Sequence, residues 1–323
     1  MVYLEDVTNR IPQELRDDII DSCKASATVG DKWYGTPMFS SFYLLTYNKD
    51  ILNQAGYDKP PETWDEFFKC AEAVTIDEGD DGIIDVYGLT SQLVEQWGFK
   101  EEFQTILKSV GGEFWNEDRN NPQPLFNNEQ GIRALQIFKK INASKFTDPA
   151  IASGDDMAVR MSMASRKAAI GIVCGFEAQV KENFPENIDI FGYSLWPHDP
   201  GFDSYAFDGT VGWGIRKGGN VDNALAFCLY TISPEIQKFY TKTWGTPSAR
   251  ISFLQDEEYI EEFPYTMANF EQAKHSQYDY LEKNSSVIES AFFPIFQSLI
   301  IGDINEETAI SELEEAFNNA WKE

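Results

Sequence analysis

The stretch running from Trp33 to Asp50, WYGTPMFSSFYLLTYNKD, constrains this chain more than any other part of it. Gly35 admits backbone angles that other residues avoid, and Pro37 stops a helix, so the stretch begins as a turn. Phe42 to Tyr47 is aromatic and apolar enough to read as a buried strand, and Asn48-Lys49-Asp50 opens a new segment. Between turn and strand stand Ser40 and Ser41, small hydroxyls beside aromatic rings. Adjacent hydroxyls are unusual in a core strand and suit the wall of a cleft. On pattern alone an ordinary turn and strand is the plainer reading.

Several later segments carry local signals of equal clarity. Thr63 followed by Glu66 makes a capping box, and Trp64, Phe67, Phe68, Ala71 and Val74 form the apolar stripe of the helix it starts. Further helices are predicted from Gln96 to the Gly111-Gly112 stop and over 129–142, with Ile132, Leu135, Phe138 and Ile141 inward. Another is predicted over 157–164, with Met157, Met161 and Met163 as core fillers. Ser233 and Pro234 suit a helix N-cap and first position, and 286–301 with 306–321 form a final helical pair. Ala168 to Phe176 is a short apolar run ending near a glycine, the pattern of a central strand in an α/β sheet. Loops at the carboxyl ends of such strands line ligand crevices, and Phe176 and Glu177 stand at that place. From Asp208 to Ile215 glycine alternates with larger residues, which implies close backbone approach or a hinge.

Composition sets the outer bounds. At 323 residues and 42% hydrophobic, the chain can bury a large core, and its length suggests two domains. A formal net charge of −27 repels nucleic acid and anionic membrane surfaces. No apolar run is long enough to span a bilayer, and Met1 to Asp6 lacks the basic and apolar regions of a secretion signal. The 4 cysteines, Cys23, Cys70, Cys174 and Cys228, form no C-x-x-C pair and need no disulfide in a domain of this size.

Catalytic motifs are missing from the text of the chain. Its 2 histidines, His198 and His275, sit in no zinc or nucleophile motif, and there is no phosphate loop. Two carboxylates about 5–9 Å apart would suffice for a glycosidase, and a chain this acidic leaves that open. Asp77, Asp81 and Asp85 around Gly82 echo a calcium loop, although Gly79 and Gly88 stand where further oxygen ligands would be needed. The alternative for these residues is a solvated acidic turn, and no cofactor is expected.

The stretch at 33–50 resembles the Y-G-x-P…Y-N-K-D segment of extracellular solute-binding proteins of ABC importers, in the sugar-binding, maltose-binding-protein-like group. The resemblance continues through Gly56, Pro60-Pro61 and Thr63-Trp64-Asp65-Glu66-Phe67, then Gly209 to Ile215, Trp244 to Arg250, and Gly302 to Ala309, in the family's order. It implies an α/β fold of two lobes joined by a hinge, of the type II periplasmic-binding-protein kind. Residues 1–43 and 208–285 would form a first lobe, incomplete at its N-terminus, and 44–207 the second. Residues 286–323 would pack across both.

The function implied is capture of a mono- or oligosaccharide in an interlobe cleft and delivery to the membrane subunits of a permease. The protein would work outside the cytoplasm as a monomer, in the periplasm or as a cell-surface lipoprotein, without enzymatic activity. Aromatic rings pack on the C–H faces of sugars, and carboxylates and hydroxyls bond their OH groups. On that basis the expected ligand contacts are Ser41, Trp97, Phe176, Glu177, Asp208, Trp213, Trp244 and Phe293, with Ser41, Phe176 and Trp213 on one groove. The rival readings are a glycan-acting cleft enzyme with paired carboxylates and a scaffold that binds no solute.

Overall fold

Six consecutive residues, Ala168–Val173, form a strand buried along its whole length. The computed structural model describes residues 3–93, 96–116, 118, 121–277 and 284–322, with the side chains of Gln96, Trp97 and Ser153 outside that description. The chain divides into two compact units, residues 1–43 with 208–279 and residues 44–207 with 280–323.

In the second unit Ala168–Val173 is central in a four-stranded sheet, between Tyr87–Ser91 on one side and Leu44–Asn48 on the other, with Phe191–Ser194 at the edge. It runs parallel to Tyr87–Ser91, with Leu89 opposite Ile170, and antiparallel to Leu44–Asn48, with Leu45 opposite Ile172. A strand covered on both faces needs apolar residues on both, which explains its unbroken run. The strand foreseen from Phe42 starts at Leu44 and ends at Asn48. The Asn48 side chain then accepts the N–H groups of Asp50 and Ile51 and starts the helix Lys49–Gln54.

The capping box is formed. Thr63 Oγ1 accepts the Glu66 N–H and Glu66 Oε2 accepts the Thr63 N–H, both at 3.3 Å, at the start of helix Trp64–Ala73. Helices Gln96–Ser109, Glu129–Ala143 and Ser285–Ile301 enclose a phenylalanine core. Phe296 lies 4.8 Å from Phe138 and 5.7 Å from Phe103, and Phe103 meets Phe126 edge-on. Burying each such ring is worth about 1.5–3 kcal/mol.

The same helices hold two buried ionisable groups. Lys100, 1% exposed, bonds Glu289 at 2.8 Å. Glu102 is buried, accepts Asn142 Nδ2 at 2.7 Å and Ser91 Oγ at 3.2 Å, and burial pushes its carboxyl up to about 8. The C-terminal pair, Ser285–Ile301 and Glu306–Lys322, expected to pack across both lobes, is grouped with the second unit, where the first of them lies against Gln96–Ser109.

Two local expectations need correction. Met157 is 44% exposed at the first turn of Asp156–Ala164, and Met163 alone of the three methionines is fully buried. Ile132 is half-buried, and Ile137 takes the inward place on that helix. Ser233 is the N-cap of helix Pro234–Trp244 with Pro234 at its first position, as expected, although the serine side chain makes no cap bond.

The first unit is built on a close pairing. Gly35–Pro37 runs antiparallel to Gly212–Gly214, with Thr36 opposite Trp213. A Cβ on Gly35 would fall 1.6 Å from the Trp213 carbonyl oxygen, so only glycine fits. Beside this pair, Gln237 holds the loop after Trp244. Its Nε2 donates to the carbonyls of Met38 and Thr231, and its Oε1 accepts from Ser248 Oγ and the Ala249 N–H. Arg250 bonds Asp18 at 2.6 Å. Among the described residues Cys23, Cys70, Cys174 and Cys228 form no disulfide.

Replacing Thr63 by Ala removes the box's side-chain acceptor and is expected to lower stability by about 1 kcal/mol in urea unfolding, with the m-value unchanged. Glu102 keeps its proton in the folded state well above the usual carboxylate range, so folded chains hold more protons than unfolded ones between the two pKa values. Its contribution to stability is whole below the ordinary Glu range and is lost as pH rises toward about 8, at up to about 1.4 kcal/mol per pH unit. Glu102→Gln is expected to flatten that slope and to raise the melting temperature at pH 8; an unchanged slope would show that Glu102 is ionised in the fold.

Candidate functional site

The strands Tyr87–Ser91 and Ala168–Val173 are parallel, so their carboxyl ends emerge side by side at Gln92 and Cys174. Gln92 spans the two. Its N–H donates to the Ile172 carbonyl, and its Oε1 accepts the Cys174 N–H at 3.1 Å. Its Nε2 donates to Asp156 Oδ2 at 3.2 Å, an oxygen that also accepts Arg160 Nη2 at 3.1 Å. Asp155 caps the helix that carries both residues by accepting the Met157 N–H, which brings Asp156 and Arg160 over the strand ends.

Glu177 opens the helix that follows the central strand. It is 5% exposed, and burial pushes its carboxyl up to about 7. Its own backbone N–H, the Tyr193 hydroxyl, Arg160 and Lys181 all pull the other way. Among the described residues its Oε2 has no hydrogen-bond partner, and neither has the buried Nε of Arg160.

A groove of about 330 Å³ is formed in the same unit by Phe99, Ile151, Phe293 and Ile300, with Asn142 and Gln297 as its polar members. Phe99 and Phe293 stack at 5.4 Å. Ala152 and Gly154 line it from the turn after Pro149, and Gly154 takes a positive φ of 66° there. Asp156 follows two residues later, so one short segment serves both the groove and the polar cluster. Apolar ring faces beside a few placed amides and carboxyls are the means by which a pocket of this size takes a small polar solute.

Of the residues singled out from sequence, Phe293 lines the groove and Glu177 belongs to the polar cluster. Trp97 begins the helix that carries Phe99, but its side chain lies outside the described residues. Phe176 is a correction. It is fully buried, edge-on to Phe191 at 5.0 Å and packed with Val159, Met163 and Val180, so it is a core ring of its own unit.

The remaining candidates belong to the first unit. Ser41 and Asp208 meet through Thr210, whose Oγ1 accepts the Ser41 N–H and whose N–H donates to Asp208 Oδ1. Asp208 is buried, and that burial raises its carboxyl above the ordinary range. Trp213 packs edge-on against Phe227 at 5.2 Å, and Trp244 stacks on Tyr240 at 4.6 Å while staying 41% exposed.

In the acidic loop, Asp77 accepts the N–H groups of Asp81 and Gly82, Asp81 that of Ile83, and Asp85 that of Glu78. These carboxylates bond the loop's own backbone. Among the described residues no group of three or more His, Cys, Asp or Glu side chains could hold a metal ion.

Sequence reading missed Gln92, Phe99, Asp156 and Arg160. The strand-end rule that marked Phe176 and Glu177 applies equally to Gln92, one residue past Ser91. Phe99 follows the helical apolar stripe and reads as core.

Open α/β sheets take small ligands at the carboxyl ends of their strands, and this unit is built as a ligand-binding α/β layer of that kind. Residues 2–238 match the model of the bacterial extracellular solute-binding protein family, and the chain belongs to that family. A putative binding protein of Brucella abortus (strain 2308) is 24% identical over 173 residues, which are 53% of this chain and 40% of that protein's length.

Among solved structures, maltose-bound MalE3 of T. maritima has a TM-score of 0.84 at 20% identity, over 97% of this chain and 79% of that one. An ABC transporter solute-binding protein of Thermotoga lettingae, bound with α-D-tagatose, has a TM-score of 0.80 at 20% identity, over 99% and 80%. The fold is therefore that of the two-lobe, MalE-like binding proteins. No helix among the described residues is long and apolar enough to cross a membrane.

Truncating Phe176 to Ala opens a cavity in a closed core and is expected to cost about 3–5 kcal/mol of stability in denaturant unfolding. A loss under about 1 kcal/mol would mean that the ring faces solvent.

Proposed function

We propose that this protein captures a neutral carbohydrate outside the cytoplasm and passes it to the membrane subunits of an ABC importer. Membership of the extracellular solute-binding family supports the transport role. The observations that support the choice of solute are two features of one unit: a groove with stacked Phe99 and Phe293 beside the amides of Asn142 and Gln297, and the Gln92, Asp156, Arg160 and Glu177 cluster at the strand ends. Rings suit the C–H face of a pyranose, and the amides, guanidinium and carboxyls suit its hydroxyls. The tagatose and maltose in the two structural neighbours belong to the same chemical class and guide the choice of panel.

A bound sugar stabilises the fold by mass action, by about 2.7 kcal/mol at a hundred times its Kd. A thermal-shift screen of mono-, di- and trisaccharides is expected to find at least one that raises the melting temperature, with the rise greatly reduced in Phe293→Ala. The sugar should be recovered unchanged by chromatography. Cleaved products would favour a glycan-acting enzyme, and a panel with no shift would overturn carbohydrate capture.

A further inference from the structure

Two buried groups in the polar cluster have no partner among the described residues, and they are opposite in kind. Glu177 Oε2 can only accept a hydrogen bond when the carboxyl is ionised, and Arg160 Nε can only donate one. Arg160 is held by its Nη2 bond to Asp156, and it acts on Glu177 through its charge without a bond between the two. A buried polar group left unpaired is destabilising, so the pair is incomplete as it stands.

We propose that Glu177 Oε2 and Arg160 Nε form a subsite for two adjacent hydroxyls of the solute, one donating to the carboxylate and its neighbour accepting from the guanidinium, and that binding there fixes Glu177 in its ionised form. This rests on the reading of the protein as a carbohydrate binder and narrows it to solutes without charge. A cationic amine would satisfy Glu177 but meet the like charge of Arg160. A phosphate or carboxylate would satisfy Arg160 but meet the carboxylates of Glu177 and Asp156. Hydroxyls both donate and accept and carry no charge, so an adjacent pair completes both groups at once.

The groups that act on Glu177 are the Tyr193 hydroxyl from the edge strand, Arg160 from the helix packed against it and Lys181 on its own helix. With its carboxyl raised to about 7, an empty site holds a proton at mildly acid pH. A hydroxyl donating to Oε2 favours the ionised form, so binding must release that proton and weakens as pH falls.

The test is isothermal titration calorimetry of the whole chain with a panel of neutral mono- to trisaccharides including maltose and D-tagatose, and with glucosamine and glucose 6-phosphate as charged probes. It is run from pH 5.5 to 8 in phosphate and in Tris, whose different ionisation heats count the protons. Affinity for the best neutral sugar is expected to fall roughly tenfold per pH unit below about 7, with a proton released on binding there. Glu177→Gln should weaken binding at pH 8 at least about tenfold and abolish the pH response, whereas Glu102→Gln should keep it. Far-UV circular dichroism and melting confirm that both variants fold.

A flat profile in the unmodified chain, an unchanged profile in Glu177→Gln, or a preference for either charged probe overturns the subsite while leaving solute capture standing. If no sugar in the panel binds at any pH, both the subsite and the carbohydrate reading fail.

Discussion

Gly171 sits in the middle of the central strand of the larger unit, and a Cβ there would come within 2.7 Å of the Met163 side chain. That contact is the constraint from which the geometry of the unit follows. The helix Asp156–Ala164 can lie directly on Ala168–Val173 only because the strand offers no side chain at that point. The close seating brings Asp156 and Arg160 to the end of the sheet, where Gln92 and Glu177 already stand. A bulkier residue at Gly171 would lift the helix and pull the polar cluster apart, even though Gly171 touches none of its members. Packing at the middle of the strand thus determines chemistry at its end.

The smaller unit is organised by an amide. Gln237 makes four hydrogen bonds, to Met38, Thr231, Ser248 and Ala249, and is fully buried. An amide has two donors and an acceptor with two lone pairs, and this one uses all of them. The Trp244–Arg250 segment therefore owes its recognisable sequence to support: Ser248 satisfies the amide, Arg250 pairs with Asp18, and the Pro247 carbonyl accepts the Ser40 N–H. Trp244 and Trp213 read as solute-binding aromatics in the bare sequence; in the fold Trp244 stacks on Tyr240 of its own helix, and Trp213 meets Phe227 of the helix Val221–Thr231.

The parts of this fold that were legible in sequence are those set by neighbours a few residues apart. The Thr63 capping box, the stop at Gly111-Gly112 and the unbroken apolar strand at 168–173 obey local rules, and the structure has each of them. The order of the sheet did not show, because its central strand pairs in parallel on one edge and antiparallel on the other. The groove and cluster were half legible. Glu177 and Phe293 stood out by position. Gln92 meets residues 64 and 82 positions away, and no pattern in a single chain reports such an encounter. Phe176 misled because a phenylalanine after a strand serves a groove or a core equally well, and the choice is made by Phe191 and Val159, which pack around it.

The clearance at Gly35 has a consequence for how such chains drift apart. With the Trp213 oxygen 1.6 Å from where any Cβ would stand, even one added methyl would prise the two segments open. That codon is closed to every substitution unless the facing segment moves with it.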